Sequence, residues 1–153
     1  MMKHPKGLPF LFFTEMWERF GYYLILGIFV LYMIDPTDKG GLAIPDKAAD
    51  DIFGTFIALT YLTPFLGGFL ADRVLGYTKA IYIGGALMGL GYISLGLSQE
   101  LPMFYLSMAL IILGNGFFKP SISTLLGNLY TEEPYKKYKD AGYNIFYMGI
   151  NFG

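Results

Sequence analysis

Four long apolar segments constrain this chain of 153 residues more than any other feature. An α-helix needs about 20 residues to cross a hydrocarbon core of about 30 Å. Segments that approach or exceed this length cover residues 7–34, 52–71, 80–98 and 101–130. A fifth apolar run, residues 141–153, is too short to span. We therefore expect an all-α integral membrane protein with four complete transmembrane helices and the start of a fifth, as the front part of a larger protein.

The composition indicates that lipid rather than water surrounds much of the chain. Apolar residues make up 54% of the sequence and charged residues only 15%, whereas soluble domains carry about a quarter charged residues. Cysteine is absent from the sequence, which removes disulfides and thiolate chemistry. The net charge of −1 argues against nucleic acid as a partner. No signal-peptide pattern follows the basic N-terminus, so we expect the first helix to be retained.

Basic residues are distributed unequally between the two predicted sides of the membrane. Only Lys39 and Lys47 lie on one side, beside five aspartates in and near the loop of residues 35–50. The other side carries Lys3, Lys6, Arg73, Lys79, Lys136, Lys137 and Lys139. Because cytoplasmic loops are rich in Lys and Arg, we expect a cytoplasmic N-terminus in a multi-pass protein of the cytoplasmic membrane.

Three charged residues, Glu15, Glu18 and Arg19, interrupt the first apolar segment. A charge at the bilayer centre costs at least ~2.5–3.5 kcal/mol on insertion scales, so such residues usually pair or line an aqueous path. The i+3 and i+4 spacings place all three on one helical face, which Tyr22 and Tyr23 continue. The cluster is therefore the first candidate for a functional site.

Lys119 is the matching charge in the fourth segment. With a rise of ~1.5 Å per residue, Glu15 lies about 10 Å and both Arg19 and Lys119 about 16 Å from the cytoplasmic surface. If the first and fourth helices are neighbours, Glu15, Glu18, Arg19 and Lys119 form a network with no net charge. Burial and a nearby cation shift the pKa of a carboxylic acid in opposite directions. One proton could therefore rearrange this network and release a cation for a substrate carboxylate. The alternative is a fixed set of salt bridges that holds the helices together, although buried pairs contribute little to stability.

Helix breakers surround two of the candidate positions. Pro120 follows Lys119 and removes the helical hydrogen bond to the carbonyl group of residue 116, so it can kink the helix. Transporters often build sites at such bends, while the alternative is a tolerated kink. Asp72 and Arg73 follow paired glycines in a short cytoplasmic loop, as either a latch between helix ends or plain surface charges.

His4 is expected to be solvated.

Four ordered motifs resemble those of the proton-dependent oligopeptide transporters, a family of the major facilitator superfamily. Glu15-x-x-Glu18-Arg19 resembles the family's ExxER signature on the first helix. Residues 67–79 resemble the superfamily's loop motif, residues 114–120 the family's fourth-helix segment and residues 146–153 its fifth-helix signature. The resemblance covers essentially the whole chain.

The resemblance implies symport of di- and tripeptides with protons by alternating access. It assigns proton coupling to Glu15, Glu18 and Arg19, peptide binding to Lys119, Tyr23, Tyr61 and Asn151, and a cytoplasmic gate to Asp72 and Arg73. Residues 1–153 would form part of an N-terminal six-helix bundle whose partner is a C-terminal six-helix half, with protons as the coupling ion and no cofactor. Leu26 stands where many relatives carry an arginine that helps to bind the peptide carboxylate.

Other classes of function make different demands on the sequence. A major facilitator transporter of another small solute, such as nitrate or an organic anion, is the alternative, but the intact ExxER pattern favours peptides. An intramembrane enzyme needs a nucleophile–base pair or a metal site, and the membrane segments contain neither His nor Cys. A purely structural bundle predicts that neutralising Glu15 or Lys119 leaves every activity intact. We expect a transporter and not an enzyme.

Overall fold

The computed structural model describes residues 4–97 and 100–153, and this part of the chain is helical without strands. Its helices are α1 (Gly7–Ile34), α2 (Asp46–Leu70), α3 (Tyr77–Leu97), α4 (Leu101–Asn128) and α5 (Lys139–Phe152). A π-helical turn, Ala71–Leu75, extends α2, and 3₁₀ turns cover Thr37–Lys39 and Lys136–Tyr138. The first four helices are long and apolar enough to cross a membrane. The all-α membrane class is therefore confirmed.

The start of α2 and the assignment of Asp72 and Arg73 to a loop were wrong. Smaller differences occur elsewhere, since α3 begins at Tyr77 rather than at residue 80, α4 ends at Asn128 rather than at residue 130, and α5 begins at Lys139 rather than at residue 141. Helix α2 begins at Asp46 rather than at residue 52, because its first turns are polar and follow Pro45. An acidic first turn suits the positive end of the helix dipole, so polarity did not mark the helix start. Asp72 and Arg73 lie in the π-helical turn rather than in a loop. This turn is followed by Gly76, whose φ is 77°. Lys3 and the expected helix end at residue 98 lie outside the described residues.

The described chain divides into two compact units, and α1 and α4 each contribute to both. The larger unit comprises residues 28–97 and 100–121. Its core is a cluster of phenylalanine rings around Phe29, whose centroid lies 5.1 Å from Phe56 and 5.8 Å from Phe104. All three rings are buried. The connection from α1 to α2 folds back on this unit, since the Ile44 amide donates to the Met33 carbonyl group at 2.8 Å.

The smaller unit comprises residues 4–27 and 122–153. Helix α5 packs closely here because it presents glycines, and a Cβ atom at Gly149 would lie 3.0 Å from the Phe12 ring. The Nδ1 atom of His4 lies 2.8 Å from the buried Tyr130 hydroxyl group, and its ring also contacts Tyr138. His4 is therefore only partly solvated, because it also contacts these two tyrosines. Isolated histidines carry no sequence pattern that predicts such a contact.

Candidate transport site

The charged cluster of α1 is a buried ion triad centred on Arg19. The Arg19 guanidinium group donates to both carboxylate oxygens of Glu18, through Nε and through Nη2, the latter at 2.6 Å. Its Nε atom also lies 3.5 Å from a carboxylate oxygen of Glu15. Glu15 and Arg19 are only 4% and 6% exposed. The shared helical face expected from the spacing is present, and Arg19 makes its shorter, two-pronged contact with the neighbour in sequence.

Tyr22 completes the triad on its apolar side. Its ring centroid lies 4.9 Å from the Arg19 Cζ atom, within the range of a cation–π contact. Tyr22 is buried, whereas Tyr23 is half exposed and packs edge-to-face against the Tyr22 ring. Of the two tyrosines, Tyr22 is therefore the one that supports the buried charge, and Tyr23 presents an open surface.

The end of α5 approaches the same turn of α1. A Cβ atom built on Gly153 would lie 3.0 Å from the Arg19 Cβ atom. Asn151 is exposed near this end, and its side-chain amide donates to the Tyr147 carbonyl group at 3.0 Å. The smaller unit thus brings Asn151 and the ion triad to one region through the α1–α5 contact.

Lys119 belongs to the larger unit, where it lies over an aromatic ring. Its Nζ atom is 4.9 Å from the centroid of the Tyr61 ring, which α2 supplies. Lys119 is half-buried and Tyr61 is 66% exposed. The two residues expected to bind substrate on α2 and α4 are therefore in contact. Participation of Lys119 in a four-charge network with the triad stays a prediction.

A close crossing of α2 and α4 sets the position of Lys119. The Thr63 hydroxyl group donates to the Ile112 carbonyl group at 3.1 Å, and a Cβ atom on Gly67 would overlap the carbonyl group of Gly116. Pro120 lacks the N–H group that would bond this carbonyl group within α4. Helix α4 is nevertheless continuous through Pro120.

Asp72 and Arg73 contact two different aromatic residues within the described part of the chain. The Tyr77 hydroxyl group donates to the Asp72 carboxylate, which joins the π-helical turn to the first residue of α3. The Arg73 Cζ atom lies 4.6 Å from the Phe69 ring centroid. Both charged residues are exposed. The gate role stays a prediction, and the link between helix ends runs through Tyr77.

Sequence reasoning missed the roles of two residues that organise these contacts, and it missed the partner of a third. Thr63 is a common residue type without a distinctive spacing, so no pattern pointed to it. Tyr77 lies within the loop motif of residues 67–79, but the motif gave it no role of its own. Gly67 was recognised as a residue that permits close approach, but its partner on α4 was not. The interval of four between Gly116 and Pro120 was the available signal, because it identifies the carbonyl group that α4 leaves for another helix.

In the described part of the chain, neither a metal-binding group nor the groove lined by α2 and α4 involves Tyr61 or Lys119. Among the described residues, no group of three or more His, Cys, Asp or Glu side chains could hold a metal ion. A groove of about 570 Å³ in the larger unit is lined by residues of α2 and α4. Its lining is formed by Asp51, Ile52, Thr55, Leu59, Thr63, Tyr105, Met108, Ala109, Ile112 and Leu113. The predicted substrate residues Tyr61 and Lys119 are not among them.

Comparison with known proteins finds similarity to membrane transporters. Residues 78–153 match the POT family. An uncharacterised transporter, YclF, of Bacillus subtilis is 43% identical over 98% of this chain, and a di-/tripeptide transporter of Lactococcus lactis is 43% identical over 97% of it. The crystal structure of a peptide transporter POT in complex with sulfate superposes with a TM-score of 0.91 at 45% identity, over 97% of this chain and 30% of that one.

The fold and these similarities define a multi-pass membrane protein of the major facilitator type. The family match over residues 78–153 and the similarity to POT transporters over nearly the whole chain confirm the resemblance that the four motifs predicted. It spans 30% of the length of the two bacterial relatives described above.

Proposed function

We propose that the full-length protein is a proton-coupled symporter of di- and tripeptides that works by alternating access in the cytoplasmic membrane, with its N-terminus in the cytoplasm. The observation that carries this proposal is the buried triad of Glu15, Glu18 and Arg19 on a membrane-spanning helix. Intramembrane charges are costly and are typical of substrate and proton pathways. Similarity to a di-/tripeptide transporter supports peptides as the substrate.

The triad provides a carboxylate that can exchange its proton without dismantling the whole cluster. Glu18 holds Arg19 through two hydrogen bonds, whereas the contact of Glu15 with Arg19 is longer, at 3.5 Å. Bidentate guanidinium–carboxylate pairs are among the strong contacts of proteins. Protonation of Glu15 therefore weakens a longer contact of Arg19, whereas protonation of Glu18 would weaken its two hydrogen bonds. In this proposal Glu15 carries the coupled proton, and Glu18 keeps Arg19 oriented.

Peptide binding is proposed for a second group of residues. Lys119 supplies a positive charge on α4 for the peptide carboxylate, and this role is the more important because Leu26 replaces a basic residue common in the family. Tyr23, Tyr61 and Asn151 are exposed side chains that combine an apolar or amide surface with hydrogen-bonding groups. Asp72 and Arg73 are proposed as part of the cytoplasmic gate.

The remainder of the transporter is proposed to complete the central cavity. Residues 1–153 would form the first part of an N-terminal six-helix bundle, and a C-terminal six-helix half would supply the opposite wall. Major facilitator transporters bind substrate between two such repeats and expose it alternately to each side. Protons are the proposed coupling ion, and the proposal includes no other cofactor and no enzymatic step.

Uptake of labelled dialanine by the full-length protein in proteoliposomes tests this function. Accumulation that requires an inward proton gradient, and that unlabelled dipeptides but not amino acids inhibit, is the expected result. Proton-driven uptake of nitrate or an organic anion, without dialanine uptake, would replace peptides with the alternative substrate class. Dialanine uptake that ignores the gradient would refute proton coupling while leaving peptide transport intact.

A further inference from the structure

We infer that Tyr61 is a positioning residue for the Lys119 ammonium group and acts through the face of its ring. The inference rests on the proposed function, since it specifies how one residue of the peptide site is oriented. The observation is the distance of 4.9 Å between the Lys119 Nζ atom and the Tyr61 ring centroid. A cation that lies within about 6 Å of an aromatic centroid is attracted by the ring quadrupole.

The crossing of α2 and α4 explains why the two side chains meet. Three contacts set the register of the helices: Thr63 with Ile112, Gly67 with Gly116, and Gly68 with Pro120. In an α-helix the Cα–Cβ bonds tilt toward the N-terminus, so the Lys119 side chain leans back toward the turns that precede Gly116. Tyr61 lies N-terminal to all three contact residues of α2. The lysine therefore extends toward the tyrosine rather than away from it.

The exposed ring of Tyr61 orients the Lys119 ammonium group while leaving it able to bind a ligand. Tyr61 is 66% exposed, and a cation–π contact uses the ring face without engaging the ammonium group as fully as a carboxylate would. A peptide carboxylate would then meet an ammonium group whose long, flexible stem is already held. Pre-organisation of this kind raises affinity by lowering the ordering cost of binding.

The ring and the hydroxyl group of Tyr61 make different predictions, which a pair of substitutions separates. Tyr61→Phe keeps the ring face, and Tyr61→Leu removes it at similar apolar character. The measurement is the KM of the full-length transporter for dialanine and for its C-terminal amide, in proteoliposomes. The readout is the ratio of the two KM values, because only the free acid offers a carboxylate to Lys119.

We expect Tyr61→Leu to raise the KM for dialanine about five- to tenfold and to leave the KM for the amide nearly unchanged. Tyr61→Phe should preserve the preference for the free acid, and in a Lys119→Ala background the additional effect of Tyr61→Leu should disappear. Tyr82→Leu, at a 75% exposed tyrosine of α3, is the matched control and should leave the ratio unaltered.

Three outcomes would overturn the positioning role. Equal losses for the acid and the amide would make Tyr61 a general wall of the pocket. A Tyr61→Phe variant as impaired as Tyr61→Leu would assign the effect to the hydroxyl group. Additive effects of the substitutions at Tyr61 and Lys119 would show that the two side chains act independently. Each of these requires dialanine transport by the parent protein, so failure of the proposed function itself would be recognised separately.

Discussion

The carbonyl group of Gly116 points at the backbone of Gly67, and Pro120 is the reason that this carbonyl group is available. Proline cannot donate the hydrogen bond that would hold the carbonyl group within α4. Glycine at position 67 allows α2 to approach it, because a Cβ atom there would overlap the oxygen. Gly67 and Pro120, two residue types that disfavour helices in water, thus permit a close contact between α2 and α4. Lys119 lies between Gly116 and Pro120 on the same turn of α4.

Substitution of Gly67 by alanine should destabilise the protein. The added methyl group has no room beside the Gly116 carbonyl group, and overpacking of this kind costs about 1–3 kcal/mol. Thermal unfolding of the full-length protein in detergent measures the effect. Gly85→Ala is the matched control, since a Cβ atom there meets nothing within 4 Å. Equal melting temperatures for both variants would contradict the close crossing.

Neutralisation of Glu15 should separate peptide exchange from proton-driven accumulation. Glu15→Gln keeps the size of the side chain but removes the ability to bind and release a proton near Arg19. We expect loss of accumulation under an imposed pH gradient and partial retention of peptide exchange. Glu132→Gln, at an exposed position, controls for the loss of a carboxylate. Undiminished accumulation by the Glu15 variant would remove this residue from coupling.

Removal of the Lys119 charge should weaken binding of free peptides more than binding of amidated peptides. A hydrogen bond to a charged group contributes about 1.5–3 kcal/mol, which corresponds to a rise in KM of roughly ten- to one-hundredfold for Lys119→Ala. Uptake measured over a range of dialanine and dialanine amide concentrations gives both values. Lys136→Ala, in an exposed turn, is the control. Equal losses for both substrates would exclude a contact with the carboxylate.

The contact of Tyr77 with Asp72 should affect the rate of transport more than affinity. Tyr77→Phe removes the hydroxyl donor that links the π-helical turn to α3. If this region forms part of the cytoplasmic gate, the maximal rate of dialanine uptake should fall while KM changes little. Tyr82→Phe on the same helix serves as the control. An unchanged maximal rate would argue that Asp72 and Arg73 are surface charges.

Alkaline pH should lower the stability of the folded protein through the buried phenol group of Tyr130. Burial raises the pKa of Tyr130 above its ordinary value of 10.0. Because the folded state then holds the phenol proton more tightly than the unfolded state, the contribution is constant below about pH 10 and is lost as the pH rises above it. Melting temperatures measured from about pH 8 to about pH 11 should fall less for Tyr130→Phe than for the parent protein. Parallel curves would contradict this.

Much of the fold could be predicted because lipid imposes a simple requirement on length and polarity. The positions of α1, α3 and α4 followed from apolar runs, and the family followed from charged and glycine-rich motifs that interrupt them. The start of α2 was misplaced because its first turns extend beyond the apolar run. Asp72 and Arg73 were assigned to a loop, because charged residues followed by a glycine are found both in loops and in π-helical turns.

Helical spacing in the sequence was enough to place Glu15, Glu18 and Arg19 on one face, because that relationship depends only on the geometry of a single helix. The tertiary structure decided the contacts that join separate helices: Lys119 with Tyr61, Gly116 with Gly67, and α5 with the turn that carries Arg19. These depend on the rotation and register of one helix against another. Many weak packing contacts determine both quantities together, and no local pattern encodes them.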